Sequence, residues 1–400
     1  MFLETVDGSV THDEFDRLVD DRRPASPIVV AEPTFDAVVD LFAVVESGQT
    51  AVLVDGRLPA AELARRLDVR GEDGDHTVVF TAGSSGESKA VRLTSENWQT
   101  HCRVMTQQLQ LTGDDRWLCT LPISHVGGLS ILMRARWSRS VVILEPRFYV
   151  TRCVGLMESG AVTLVSLVPT MLRRILSESP GPFSEVRAVL VGGGPCPPVL
   201  VERATAAGLP VIAIYGMTET ASSVALSQLG SADRVFALPE VELRIEESGR
   251  IAVRGPMVSP GYVGRPRQGE WLVTNDIGML DEDGGLRVLG RADETIITGG
   301  EKVHPAEVAA ILFDHSAVTD VAVVGLPDDE WGEIVAAVYT GTVEAGDLAG
   351  WLRSRVAGFQ MPKRLVRVAQ IPRNEMGKVK RDEVARLVAA RPSVAPTKPS

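Results

Sequence analysis

Cysteine is scarce in this 400-residue chain, and its four copies (Cys102, Cys119, Cys153 and Cys196) are scattered, with no C-x-x-C pair. That argues against a zinc site and a disulfide-stapled scaffold, and it suits a reducing compartment. Positive charge is in deficit too. Lys and Arg number 41 against 52 Asp and Glu, a formal net charge of −11, which excludes a general nucleic-acid coat. Any anionic substrate must meet positive charge that is focused locally. No apolar run approaches the ~18 residues that would suggest a membrane-spanning helix. The opening segment, residues 1–23, is acidic and lacks the apolar stretch of a secretory signal. Internal repeats are absent. These absences set the expectation of a cytoplasmic protein with no nucleic-acid partner and no stable membrane insertion.

What is present is a recurring grammar of apolar run, small-residue turn and helix-like segment. Residues 77–80 (TVVF) lead into TAGSSG, 163–168 (TLVSLV) into PT and MLRRIL, 188–191 (AVLV) into GGGP, and 211–215 (VIAIY) into GMTE. Such alternation predicts an α/β fold with largely parallel sheets, whose ligands gather at the loops leaving the strand ends. Beyond about residue 240 short β runs punctuated by Gly and Pro predict a β subdomain. After 294 a compact α+β unit follows. The expected division is 1–291, 294–390 and a frayed Pro-rich tail, 391–400.

Three motifs carry chemistry. The run Thr81 to Lys89 (TAGSSGESK) can aim backbone N–H groups at phosphate oxygens, with Thr81, Ser84 and Ser85 adding hydroxyls and Lys89 a charge. It is not a Walker A loop, which needs G-x-x-x-x-G-K-S/T, and alone it is equally a plain turn. Thr218-Glu219 beyond a buried strand offers a hydroxyl for phosphate and a carboxylate for Mg²⁺; alone it reads more readily as a helix cap. Lys378, in PRNEMGK, reads alone as a solvated surface charge. Their co-occurrence raises all three.

Together with TNDIGMLDEDGGLRVLGRADE and ITGGEKVHPAEV, these motifs stand in the order and spacing of the adenylate-forming superfamily, which the chain resembles over roughly residues 75–388. Within it, LPISHVGGLSILMR, VSLVPTMLRRIL and VGGGPCPP resemble the o-succinylbenzoate–CoA ligases of menaquinone biosynthesis. Ser88 and Ala82 depart from the family's usual Pro and Ser/Thr, and residues 232–241 form a shortened connector. The resemblance implies a large N-terminal domain and a small mobile C-terminal one. It also implies ATP, Mg²⁺ and CoA as cofactor and co-substrates, and small-molecule partners, with a homodimer allowed. Carried over residue by residue, Thr81, Ser84, Ser85 and Lys89 hold the β/γ-phosphates. Thr218 contacts the α-phosphate and Glu219 supports the metal. Gly192, Gly193, Gly194 and Tyr215 border the nucleotide, and Asp276, assisted by Arg291, takes the ribose. Lys378 bridges carboxylate and α-phosphate. Asp293 is the hinge, with Gly299 and Gly300 toward CoA. His125 and Gly216 border the acyl group.

Arg134 closes an apolar run after His125. It reads as an internal salt bridge, as a solvated helix face or, if buried, as a cation that needs an anion. The last reading fits an acid with a second carboxylate. The resemblance therefore favours an o-succinylbenzoate–CoA ligase. The alternatives are another aryl- or acyl-CoA ligase and a free-standing adenylation enzyme that loads a carrier protein.

Overall fold

The computed structural model describes residues 1–390 apart from Asp7, Ala25, residues 83–87 and residues 375–376. Ser84, Ser85 and the tail 391–400 therefore lie outside the described residues. The chain divides into two compact units. The first comprises Met1–Cys196, Leu200–Leu243 and Val253–Leu272; the second comprises Pro197–Val199, Arg244–Ala252 and the chain from Val273 onward.

A nine-stranded sheet organises the first unit. Its spatial order is Phe236–Ala237, Ser222–Leu226, Val211–Met217, Ala188–Val191, Leu164–Leu167, Arg116–Cys119, Val141–Leu144, Leu3–Thr5 and Gly8–Val10. The six strands from Val211–Met217 to Leu3–Thr5 are parallel. The runs VVIL, LVSL and AVLV are buried at every position. Strands covered on both faces need no polar alternation, which is why these runs are continuous. Strand order reverses between Arg116–Cys119 and Leu164–Leu167. Ligands in open α/β sheets sit beyond the carboxyl ends at such a reversal, and the segment leaving Arg116–Cys119 there is residues 120–125.

A second, six-stranded sheet of this unit runs Arg265–Pro266, Gly261–Tyr262, Ser88–Thr94, Asp75–Ala82, Ala51–Val54 and Ile28–Val30. Helix Ser95–Gln108 starts from a Thr94/Asn97 capping box. Helix Val126–Ser138 buries every residue from Gly128 to Ala135, Arg134 included. A helix apolar on all sides belongs in the interior.

His76 is the extra residue of a bulge in Asp75–Ala82, since Asp75 faces Thr94 while Thr77 faces Leu93. Its Nδ1 is buried without a hydrogen-bond partner among the described residues, and burial pulls the imidazole down from 6.5 to about 4. The unfolded chain takes its proton near the upper value and the folded chain only near the lower one. Stability is therefore lost as pH falls through that interval, by about 3 kcal/mol in total. His76→Phe is expected to flatten the decline of Tm across that window. A decline parallel to that of the unsubstituted protein would refute the assignment.

In the second unit, the β segment expected beyond residue 240 is a four-stranded sheet of Glu242–Ile245, Arg250–Arg254, Leu272–Leu280 and Leu286–Arg291. The α+β segment carries Glu301–Val303, Ile296–Thr298, Gly332–Gly341 and Val318–Asp328 in that order, with Arg364–Arg367 parallel to Gly332–Gly341. Val324, Val338, Val366, Val384 and Val388 form its core beneath helix Arg381–Ala389. Among the described residues no helix is long and apolar enough to cross a membrane.

Candidate active site

The hairpin of Asp75–Ala82 and Ser88–Thr94 sets Thr81 directly opposite Lys89, so the described ends of the Gly/Ser run meet across one register. Strand Gly261–Tyr262 pairs alongside, with Tyr262 facing Val91. There the Lys89 ammonium lies 5.4 Å from the centroid of the Tyr262 ring, within range of a cation–π contact. The Tyr262 hydroxyl donates to Glu219 Oε1 at 2.9 Å. Burial first, and then the neighbouring Glu219 carboxylate, pushes the phenol above its usual value. Tyr262 thereby joins the Gly/Ser hairpin to the Thr-Glu loop. Glu219 offers the one or two carboxylates with which proteins usually bind Mg²⁺, phosphate oxygens and water supplying the other ligands.

The Thr-Glu loop is not the helix N-terminus that its residues alone suggest. It is a single 3₁₀ turn, Thr218–Thr220, between Val211–Met217 and the antiparallel return strand Ser222–Leu226. The Thr220 hydroxyl accepts from the Met217 N–H at 3.0 Å and donates to the Ser222 carbonyl at 2.8 Å. Ala221 and Ser222 have φ of 50° and 95°, values uncommon for residues with a side chain and a mark of strain held by the surroundings. A Cβ on Gly216 would stand 1.9 Å from the Ser222 carbonyl oxygen. Only glycine lets the return strand pack so closely. Tyr215 is buried just before it, and Gly192, Gly193 and Gly194 leave the carboxyl end of the adjacent strand Ala188–Val191.

At the reversal of strand order, His125 takes the N-cap position of helix Val126–Ser138 without a side-chain cap bond. Its charge is felt at Asp55. A Cβ on Gly128 would come within 2.6 Å of the Leu121 carbonyl oxygen, so glycine lets the helix begin against the LPIS segment.

Arg134 is 2% exposed, which removes the solvated-face reading. No carboxylate forms an ion pair with it among the described residues, which removes the salt-bridge reading as well; the charges that act on it are the Cys102 and Cys119 thiols. Its guanidinium stacks 4.5 Å from the Trp117 ring centroid, and Nη1 lies 3.2 Å from His101 Nε2. Arg134 Nε has no partner among the described residues. Burial brings the guanidinium down to about 10, so it stays charged at neutral pH. A buried cation without a counter-ion is costly, and the missing partner is an anion.

In the second unit, Asp276 and Arg291 face each other across Leu272–Leu280 and Leu286–Arg291, Nη1 to Oδ1 at 3.5 Å. Arg291 Nε also donates to Asp293 Oδ1 at 2.9 Å, and Asn275 Nδ2 donates to Asp293 Oδ2 at 3.2 Å. Gly299 and Gly300, both with positive φ, close the hairpin of Ile296–Thr298 and Glu301–Val303, as a two-residue primed turn requires. Lys378 sits in a turn braced by Asn374, whose carbonyl accepts from Gly377 and whose N–H donates to the Lys378 carbonyl at 2.8 Å. Arg373 anchors that turn through Asp320 at 2.8 Å and the Gly377 carbonyl at 2.7 Å.

Sequence reasoning missed Tyr262, His101 and Trp117. Each earns its place through a partner far away along the chain, and no local spacing marks them.

The arrangement defines an adenylate-forming enzyme. Residues 72–263 match the AMP-binding enzyme family, and residues 307–378 match the AMP-binding enzyme C-terminal domain. The chain belongs to this family. Over 326 residues it is 36% identical to the 2-succinylbenzoate–CoA ligase of Listeria monocytogenes serotype 4b, covering 77% of this chain and 69% of that one. Over 375 residues it is 34% identical to the 2-succinylbenzoate–CoA ligase of Listeria innocua, covering 89% and 78%. The o-succinylbenzoate CoA synthetase of Bacillus subtilis in complex with its acyl-adenylate intermediate is similar in structure, with a TM-score of 0.85 at 28% identity over 98% of this chain and 96% of that one. The same synthetase in complex with ATP and magnesium ion gives 0.82 at 28% identity over 96% of each chain. ATP-bound MatB from Rhodopseudomonas palustris, at 23% identity, shares the fold, with a TM-score of 0.85 over 96% of this chain and 95% of that one. The superfamily resemblance and the α/β fold expected from the motifs are thus both found.

Proposed function

We infer that this protein is an ATP-dependent acyl-CoA ligase that activates 2-succinylbenzoate, a step of menaquinone biosynthesis carried out in the cytoplasm. The observation that carries the choice of acid is Arg134, a fully buried cation at the acyl end of the site with no carboxylate partner among the described residues. An acid with two carboxylates can place one at the reacting centre and the other on this guanidinium. A fatty-acid pocket has no use for it.

Carboxylates are poor electrophiles. In the first half-reaction a carboxylate oxygen attacks the α-phosphorus of ATP and pyrophosphate leaves, giving acyl-adenylate. In the second, the CoA thiol attacks the acyl carbon and AMP leaves. Charge crowds onto phosphate oxygens in the first step, so catalysis rests on positioning and electrostatic stabilisation. Thr81, Lys89 and the Gly/Ser run hold the β/γ-phosphates, Thr218 the α-phosphate. Glu219, fixed by Tyr262, would hold Mg²⁺, which when bound neutralises phosphate charge. Asp276 accepts from the ribose hydroxyls, with Arg291 across the strand pair keeping its carboxylate ionised and aimed. Lys378 bridges the attacking carboxylate and the α-phosphate.

The functional boundary lies between 291 and 294, with Asp293 as the hinge. Asp293→Pro fixes φ near −65° and so stalls the change between half-reactions. Pyrophosphate release is expected to persist while CoA consumption slows by about tenfold or more. Asp293→Ala, which loses the same contacts to Arg291 and Asn275 without fixing φ, separates the two effects. Equal rates for Pro and Ala variants in the CoA step would place the hinge elsewhere.

The test of function is ATP- and CoA-dependent thioester formation with 2-succinylbenzoate, benzoate and medium-chain fatty acids. Turnover of 2-succinylbenzoate well above the others is expected. Preference for a fatty acid would overturn the reading.

A further inference from the structure

Arg134 can select an acid only if its planar fork is held in one orientation, and nothing on its own helix does this. Helix Ser95–Gln108 supplies the constraint through His101, which is 0% exposed and meets Arg134 Nη1 through Nε2 at 3.2 Å. An arginine N–H can only donate, so His101 Nε2 must accept and carries no proton. The ring proton therefore sits on Nδ1, which faces the Ser223 main chain without closing a hydrogen bond. Ser223 lies opposite Gly216 in the strand pair that carries the Thr-Glu turn. Burial, and then the Arg134 charge, hold the imidazole well below its usual value. An imidazolium here would set one buried cation against another.

The rings that flank the pair are themselves locked. Trp117, beneath the guanidinium, donates from Nε1 to Ser166 Oγ at 3.1 Å. Trp98 stands edge-on to His101 at 6.1 Å between centroids and donates from Nε1 to Thr77 Oγ1 at 2.9 Å. One edge of the guanidinium thus rests on His101, one face on Trp117, and Nε is left without a partner among the described residues.

We propose that His101 is a positioning residue for substrate choice: as a neutral hydrogen-bond acceptor it fixes the Arg134 fork so that the remaining N–H groups meet the carboxylate that is not activated. The proposal rests on the Arg134 reading above. It adds that a side chain which never touches the acid sets how well the acid is discriminated, because a fork that must first be oriented loses part of its binding advantage.

The experiment measures kcat/KM for 2-succinylbenzoate and for 3-benzoylpropanoate, the same acid without its ring carboxylate, and takes their ratio. A merely structural defect lowers both values and leaves the ratio in place. His101→Phe keeps a ring and loses the acceptor, so the ratio is expected to fall about tenfold, chiefly through KM for the dicarboxylate. His101→Gln, whose carboxamide oxygen reaches the position of Nε2, is expected to recover most of it. Should His101→Phe fail to fold, His101→Asn replaces it, because its shorter carboxamide stops short of Nη1 and the ratio must still fall. An unchanged ratio in the folded Phe or Asn variant, where Arg134→Ala does collapse it, overturns the role of His101 and leaves Arg134 standing. An unchanged ratio in Arg134→Ala overturns both.

Discussion

Replacing Lys378 with alanine is expected to slow adenylate formation by ~10²–10³ while the thioester step from preformed acyl-adenylate stays largely intact. The lysine is the cation assigned to the group in flight, where charge develops between the attacking carboxylate and the α-phosphate. A donor placed there acts only in the first transition state, so the loss belongs to one half-reaction. The turn that carries it is independently braced: Asn374 bonds both ways across it, and Arg373 ties it to Asp320. Removing the side chain therefore leaves the loop in place, and the kinetic loss is not a folding loss. Burst measurements of pyrophosphate release and single-turnover thioester formation separate the steps. Equal loss in both, or none in the first, would remove Lys378 from the reaction.

Arg134→Ala is expected to raise KM for 2-succinylbenzoate by roughly tenfold to over a hundredfold, the worth of ~1.5–3 kcal/mol for a hydrogen bond to a charged group. KM for ATP should hardly move, since the guanidinium meets no group of the nucleotide cluster around Lys89, Tyr262 and Glu219. Arg134→Lys should restore only part, a point charge replacing a planar fork. Stability supplies a second, opposite signature. The guanidinium is fully buried with a neutral imidazole as its hydrogen-bond partner, so an apolar residue of similar length relieves a desolvation penalty. Arg134→Met is accordingly expected to melt at the same temperature or higher while losing the acid. Loss of both stability and affinity would mark Arg134 as structural. An unaltered KM in a folded Arg134→Ala protein would shift weight to another acyl-CoA ligase.

The placement of these groups shows where sequence reading has reach. Thr81 and Lys89 could be paired in advance, because a glycine-bearing loop between two apolar runs closes a hairpin and its ends must meet. The Asp276–Arg291 pair was likewise readable, since both residues end short β runs separated by a Gly-rich turn, and antiparallel register sets them opposite. The Thr-Glu loop shows the limit. Read locally, Thr218 is a helix cap, but the return strand Ser222–Leu226 pulls the chain back antiparallel and leaves room for one 3₁₀ turn. Local cap preference, worth about 1 kcal/mol, yields to a whole strand pairing.

Composition, apolar runs and loop chemistry by themselves determined the α/β class, the order of segments and the identity of the phosphate-binding hairpin, because each depends on neighbours a few residues apart. They also determined that any anion site must be local, because the chain as a whole is acidic. What Arg134 is for was decided only by tertiary structure. Its three readings differ in burial and in partners, and both are set by helix Ser95–Gln108 and strand Arg116–Cys119, which no periodicity ties to residue 134. Tyr262 is the same case, a tyrosine near a Pro-Gly turn in sequence that becomes the link between Lys89 and Glu219 once the sheet has formed. Side-chain chemistry is written residue by residue, whereas desolvation and hydrogen-bond partners are properties of a packed neighbourhood, and folding alone assembles that neighbourhood from distant parts of the chain.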